Sequence, residues 1–142
     1  MNDRSGTVIL IVEDEGLIAL EMMEFLMREG FQVLEPVPSG EEAIERCGQN
    51  PRPNLILMDV HLMGKIDGID AARKIREQYS VPVIILTACT DGITGMRLKE
   101  LAPEGYLVKP STREELLGAI SLVLQSESRK RTQAATWKQP EA

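Results

Sequence analysis

A chain of 142 residues, 43% apolar and 27% charged, has the make-up of one globular domain with a single core. Its net charge is −6. Residues 126–142 hold four basic residues against two acidic ones, +2, leaving −8 on residues 1–125, and a body so acidic argues against direct nucleic-acid binding. No apolar run approaches the roughly 20 residues of a membrane span and no signal-peptide pattern opens the chain, so the expected location is the cytoplasm.

The chain alternates between β-like and helical stretches after a short N-terminal extension, 1–6. TVILIV (7–12) is a continuous apolar, β-branched run, as expected of a strand covered on both faces. Residues 16–29 predict a helix ending at Gly30, a natural C′ residue. FQVLEPV (31–37) predicts a second strand, nearer the sheet edge because of Pro36. Ser39 and Glu42 have capping-box spacing and open a helix to about residue 48. LILM (55–58) is the third strand. Ile69, Ala72, Ile75 and Tyr79 mark one face of a helix over 67–78.

VPVIIL (81–86) is the fourth strand, and 91–101 a weaker helix containing Gly92 and Gly95. GYLVK (105–109) is the fifth strand. Thr112 and Glu115 supply another capping box, followed by the stripe Leu116, Leu117, Ile120, Val123, Leu124. The periodicity fades after about residue 125, so 126–142, with Trp137 alone in it, is expected to be a helix extension or a polar tail. Cys47 and Cys89 match no metal or redox spacing and are expected to be ordinary, partly buried residues. The lone His61 makes no histidine-rich metal site.

Five strands alternating with five helices imply a parallel sheet covered on both faces, spanning residues 7–125. In such folds ligands bind beyond the carboxyl ends of the strands. The residues found there are Glu13-Asp14 after the first strand, Asp59 after the third, Thr87-Ala88 after the fourth and Lys109-Pro110 at the fifth. Three carboxylates on one rim repel one another unless a cation sits among them, and hard oxygen donors suit Mg²⁺. A metal, a lysine and a hydroxyl donor are what phosphoryl transfer needs, with Asp59 as a carboxylate nucleophile. Each residue alone has a plainer reading. Asp14 would cap a helix, Asp59 would be a turn acid, Thr87 would close a loop and Lys109 would be a surface lysine. Their placement at equivalent points of one repeating pattern favours chemistry.

ILIVEDE, LILMDVHL, IILTA and GYLVKP, in this order and spacing, resemble the receiver domain of two-component response regulators over residues 7–125. The resemblance implies a flavodoxin-like sheet of order 2-1-3-4-5. It implies that Asp59 accepts a phosphoryl group from the phosphohistidine of a sensor histidine kinase or phosphotransfer protein. Glu13, Asp14, Asp59 and the His61 backbone carbonyl would hold Mg²⁺, with the His61 ring in solvent. Thr87 would turn toward the phosphoryl group, Lys109 would pair with it, and Tyr106 would be an aromatic switch.

The resemblance also implies a cis bond before Pro110, and it suggests, with the oligomeric state left open, a homodimer through the fourth helix, fifth strand and fifth helix. Signalling to a downstream protein target, rather than turnover of a metabolite, is the function implied. The stretch HLMGKIDGID departs from the commonest pattern by Gly64 and one extra residue before Asp67-Gly68, a form found in free-standing receivers and receivers attached to kinases. The chain is expected to be a single-domain regulator or the N-terminal receiver of a longer protein. Three other readings fit less well. A degenerate receiver would lack Asp59, the acidic pair or Lys109. An aspartyl phosphatase would resemble Asp-x-Asp after the first strand, and a flavodoxin would need a hydroxyl-rich phosphate loop where VEDEG stands.

Overall fold

The computed structural model describes residues 4–88 and 92–138; Cys89 lies outside the described residues. After a 3-10 turn at Arg4–Gly6, the elements run β1 (Val8–Val12), α1 (Gly16–Arg28), β2 (Gln32–Val33), α2 (Gly40–Cys47) and β3 (Leu55–Asp59). They continue as α3 (Gly68–Tyr79), β4 (Val83–Thr87), α4 (Gly92–Leu101), β5 (Gly105–Val108) and α5 (Arg113–Lys138). All strands are parallel, in the order β2-β1-β3-β4-β5. This is the predicted flavodoxin-like (βα)5 arrangement.

The order follows from handedness. Parallel crossovers are right-handed, so a connection that steps one way along the sheet covers one face and a connection that steps the other way covers the opposite face. The chain moves outward from β1 to β2, then back across β1 to β3, β4 and β5. Accordingly α1 shares its face with α5, and α2, α3 and α4 share the other. Strand side chains sort by the two-residue period. Leu10, Val12, Ile56, Met58 and Ile85 meet Ala43, Cys47, Ile69, Ala72, Ile75 and Leu98. Ile9, Ile11, Leu55, Leu57, Ile84 and Leu86 meet Phe25, Leu26, Leu116, Ile120 and Val123. Each fully buried Leu or Ile contributes about 1.5–3 kcal/mol.

Local chemistry ends the helices where expected. Glu42 N donates to Ser39 Oγ at 3.1 Å and Glu115 N to Thr112 Oγ1 at 3.0 Å, while Thr112 N donates to Glu115 Oε1 at 2.8 Å. Gly30, at φ +100°, closes α1 in the left-handed region that glycine tolerates. The Lys109–Pro110 bond is cis. Cys47 is buried among apolar neighbours, which push its thiol up to about 11.

One boundary differs from expectation, and a second, left open between a helix extension and a tail, is helical as far as Lys138. The second strand pairs only at Gln32–Val33, not over 31–37; Pro36 has no N–H for a ladder, and the chain touches β1 again at Val37 as an isolated bridge to Val12. The last helix continues to Lys138, through the stretch where the apolar stripe fades. There the sequence keeps good helix formers, and Glu127 pairs with Lys130 one turn on at 3.2 Å.

Gly68 is the tightest point of the fold. A Cβ built on it would lie 1.9 Å from the carbonyl oxygen of Asp59. Gly118, inside α5, has nothing within 4 Å of its own Cβ position. Gly68→Ala should therefore cost about 1–3 kcal/mol by overpacking, whereas Gly118→Ala should add up to about 1 kcal/mol of helix propensity. Urea midpoints of the two variants would check this; equal midpoints would contradict the close approach at Gly68.

Candidate functional site

The reversal of strand order opens a crevice between the carboxyl ends of β1 and β3. Val12 pairs with Met58 across that junction, so the residues that follow, Glu13-Asp14 and Asp59, come out side by side. Glu13 cannot turn away, because its backbone N–H donates to Val37 O at 3.0 Å and its Oε2 accepts from Glu15 N at 3.1 Å. That second bond satisfies a free donor at the start of α1, where Glu15 is the N-cap residue and makes no side-chain cap. Capping α1 thus falls to the Glu13 carboxylate, not to Asp14.

Glu13, Asp14 and Asp59 each offer a carboxylate oxygen within 4.8 Å of the others. Glu13 and Asp59 are buried, and Asp14 is half-buried. Lys109 reaches into this cluster from the end of β5. Its Nζ lies 3.0 Å from Asp59 Oδ2 and 3.5 Å from Glu13 Oε1. Its backbone is set by the bond from Lys109 N to Thr87 O at 2.8 Å, one step past the Thr87–Val108 pair of β4 and β5. Thr87 is fully buried. The structure therefore brings Glu13, Asp14, Asp59, Thr87 and Lys109 to one rim.

The electrostatics are those of a site short of positive charge. Burial pushes the Glu13 carboxyl above its ordinary value, and the negative charge of Asp59 adds to the rise, against the lowering bond from Glu15 N and the charge of Lys109. Burial alone would lower Lys109, but its hydrogen bond and charge interaction with Asp59 outweigh that and hold the ammonium above its usual value. An acid set of hard oxygen donors with one partly buried ammonium fits a divalent hard cation, which takes one or two carboxylates and fills its shell with waters. Mg²⁺ matches that donor chemistry.

The remaining expected residues lie beside the cluster. The His61 side chain is exposed, pointing to solvent. Tyr106 is 57% exposed on β5, its ring outward. Sequence reasoning singled out Gly64 and Asp67-Gly68 in the loop after Asp59 but missed the groups that hold that loop. Glu41, at the start of α2, accepts from Lys65 N at 2.8 Å, and this bond holds its carboxyl below the usual range. Arg97 of α4 grips Asp67, with Nη2 to Oδ1 at 2.9 Å. Gly68 N closes the loop on Val60 O at 2.8 Å. The partners sit 24 and 30 residues from the loop positions they hold, beyond any local spacing signal.

A family model described as the response regulator receiver domain matches residues 9–121. The transcriptional regulatory protein PdtaR of Mycobacterium tuberculosis is 36% identical over 116 residues, which cover 82% of this chain and 56% of PdtaR. The chain spans about half the length of the curated relatives it matches. Among solved structures, the signal receiver domain of a modulated diguanylate cyclase from Desulfovibrio desulfuricans G20 superposes with a TM-score of 0.78 at 33% identity, covering 87% of this chain and 97% of that one. A CheY-like receiver domain protein from Methanospirillum hungatei JF-1 gives 0.79 over 87% of this chain and 98% of that one, but at 23% identity it speaks for the fold alone.

The raised Glu13 carboxyl has a measurable sign. A buried acid whose folded value lies above its unfolded one favours the fold while protonated, and that contribution is lost as pH rises through the folded value. Glu13→Gln should then raise the melting temperature at pH 7 in metal-free buffer, and the gain should vanish as pH falls below the ordinary glutamate range. A variant no more stable than wild type at pH 7 would contradict the uncompensated acid.

Proposed function

Because this chain belongs to the response regulator receiver family, we propose that Asp59 is its phosphoacceptor and that Glu13, Asp14, Thr87 and Lys109 serve that reaction. The observation that carries the proposal is the Lys109 ammonium 3.0 Å from the Asp59 carboxylate, inside a cluster of three buried or half-buried acids. An Asp59 oxygen attacks the phosphorus of a phosphohistidine; the new O–P bond forms as the P–N bond breaks, and the imidazole leaves with the bonding electrons. Lys109 changes partner in this step, from the carboxylate it neutralises to an oxygen of the transferred group. The buried hydroxyl of Thr87 supplies a further donor for that oxygen.

Glu13 and Asp14, with Asp59 and the carbonyl of His61, would hold Mg²⁺, which when bound adds charge neutralisation to the phosphoryl oxygens. The tight packing of Gly68 on the Asp59 carbonyl keeps the acceptor's backbone from following the attack.

As a member of a signalling family, the chain has a phosphohistidine-bearing kinase or phosphotransfer protein as its proposed donor. A downstream protein is its proposed target. The readout surface is the exposed strip of α4, β5 and α5, where Met96 (65% exposed), Tyr106 and Leu122 stand in solvent. That strip is also the proposed homodimer face. Residues 7–125 form the proposed receiver unit, with 126–142 as tail or linker. The proposed place of action is the cytoplasm, and no described helix is long and apolar enough to cross a membrane.

Intact mass after incubation with Mg²⁺ and acetyl phosphate tests the acceptor. One phosphoryl group is expected on the wild-type chain and none on Asp59→Asn. Removal of Lys109 (Lys109→Ala) should slow uptake by about 10²-fold, the scale of one lost charge-stabilising donor. Equal labelling of Asp59→Asn would move the acceptor elsewhere.

A further inference from the structure

Between Asp59 and α3 the chain leaves the acid rim and returns to it. Val60 N donates to Leu86 O at 3.2 Å, and Gly68 N donates back to Val60 O at 2.8 Å, so the two ends of the excursion are tied together. Along the way the loop is held against the start of α2. Met63 pairs with Ser39 as an isolated parallel bridge. Ile66 lies over Gly40, where an added Cβ would stand 3.0 Å from Ile66 Cγ1. At the tip, Glu41 Oε2 accepts from Lys65 N at 2.8 Å.

The tip and the carboxylate are fitted to each other. Gly64 stands at φ +98°, a turn that glycine enters readily, and a Cβ on it would lie 2.5 Å from Glu41 Oε1. The N–H groups of Lys65 and Ile66 that follow both hold the Glu41 carboxyl below its usual range, Lys65 most of all. Successive backbone N–H groups around one anion make a nest. Here the anion is the chain's own side chain. Apart from half-buried Leu62, residues 61–65 are exposed, so apolar packing gives this stretch little to rest on. A backbone bridge and a carboxylate hold it instead.

We infer that Glu41 is a positioning residue for the metal site: by holding the loop after Asp59, it sets how tightly the chain takes Mg²⁺. The inference rests on the phosphoacceptor reading, in which Mg²⁺ serves Asp59. The loop leaves directly from Asp59 and carries the His61 carbonyl, one of the oxygens proposed to hold the ion. A donor already fixed in place costs less to gather than one on a free loop. Glu41 is not among the acids that converge on the rim, so it acts only through the backbone it holds.

A Mg²⁺ titration followed by amide NMR, with amide hydrogen exchange on the same full-length chain, tests this. Glu41→Ala should bind Mg²⁺ about three- to tenfold more weakly than wild type, the scale of one lost hydrogen bond. Its Lys65 and Ile66 amides should exchange faster. Two further variants separate position from charge. Glu45→Ala, exposed one turn along α2, removes the same charge and should leave the affinity unchanged. Glu41→Gln loses the charge but keeps an oxygen for Lys65 N, and should recover most of the lost affinity. Equal losses in Glu41→Gln and Glu41→Ala, or a matching loss in Glu45→Ala, would reduce the effect to charge and overturn the inference. Faster exchange in Glu41→Ala with unchanged affinity would overturn it too, leaving a brace without a bearing on the metal. A wild-type chain that binds no Mg²⁺ would remove the metal-assisted reading of Asp59, and the inference with it.

Discussion

The contact between Lys109 and Asp59 sets the terms for the rest of the molecule. A carboxylate at the end of a buried strand is costly to leave unpaired, and a second and third acid beside it make the cost larger. One ammonium 3.0 Å away offsets part of that charge and leaves a remainder. The remainder is what gives the rim its chemistry. An interior with balanced charge would be more stable and would have no use for a cation or a phosphoryl group. The sheet exists in this order, with β1 beside β3 and β5 at the edge, so that the imbalance is built and then held in place.

Much of this was legible in the sequence, for a physical reason. Buried parallel strands have to be continuous apolar runs, so the residue at which a run breaks is the residue at the sheet's carboxyl edge. Glu13, Asp59 and Lys109 could be placed by that rule alone, and the two capping boxes at Ser39 and Thr112 bounded their helices through local bonds of three-residue span. The second strand was overestimated because alternation in FQVLEPV shows which residues are apolar and not which N–H groups find partners; Pro36 decides the latter. The helical course of 126–138 was left open because an apolar stripe reports burial. A helix that leaves the core loses its stripe and keeps its hydrogen bonds.

What could not be read was everything carried by long-range polar contacts. Glu41 and Arg97 look like any charged residues on the exposed sides of their helices. Their role comes from where α2 and α4 are set down relative to the loop after Asp59, and no periodicity encodes that distance. The same holds for Gly68. A glycine at the start of a helix is unremarkable until the carbonyl opposite is known. Between them these residues brace the loop after Asp59.

The sorting of strand side chains into two faces has a consequence for how such a molecule changes over time. The sheet is a wall one residue thick, and the helices on either side never meet through it. One compartment holds α1 and α5, the other α2, α3 and α4. A substitution in one is absorbed by neighbours in that compartment, while the wall itself, apolar on both sides, tolerates little change. The two helix layers are therefore free to drift at different rates. A lineage can rewrite one side of the molecule to suit a new partner while the opposite side, and the acid rim along the top of the wall, stay as they were.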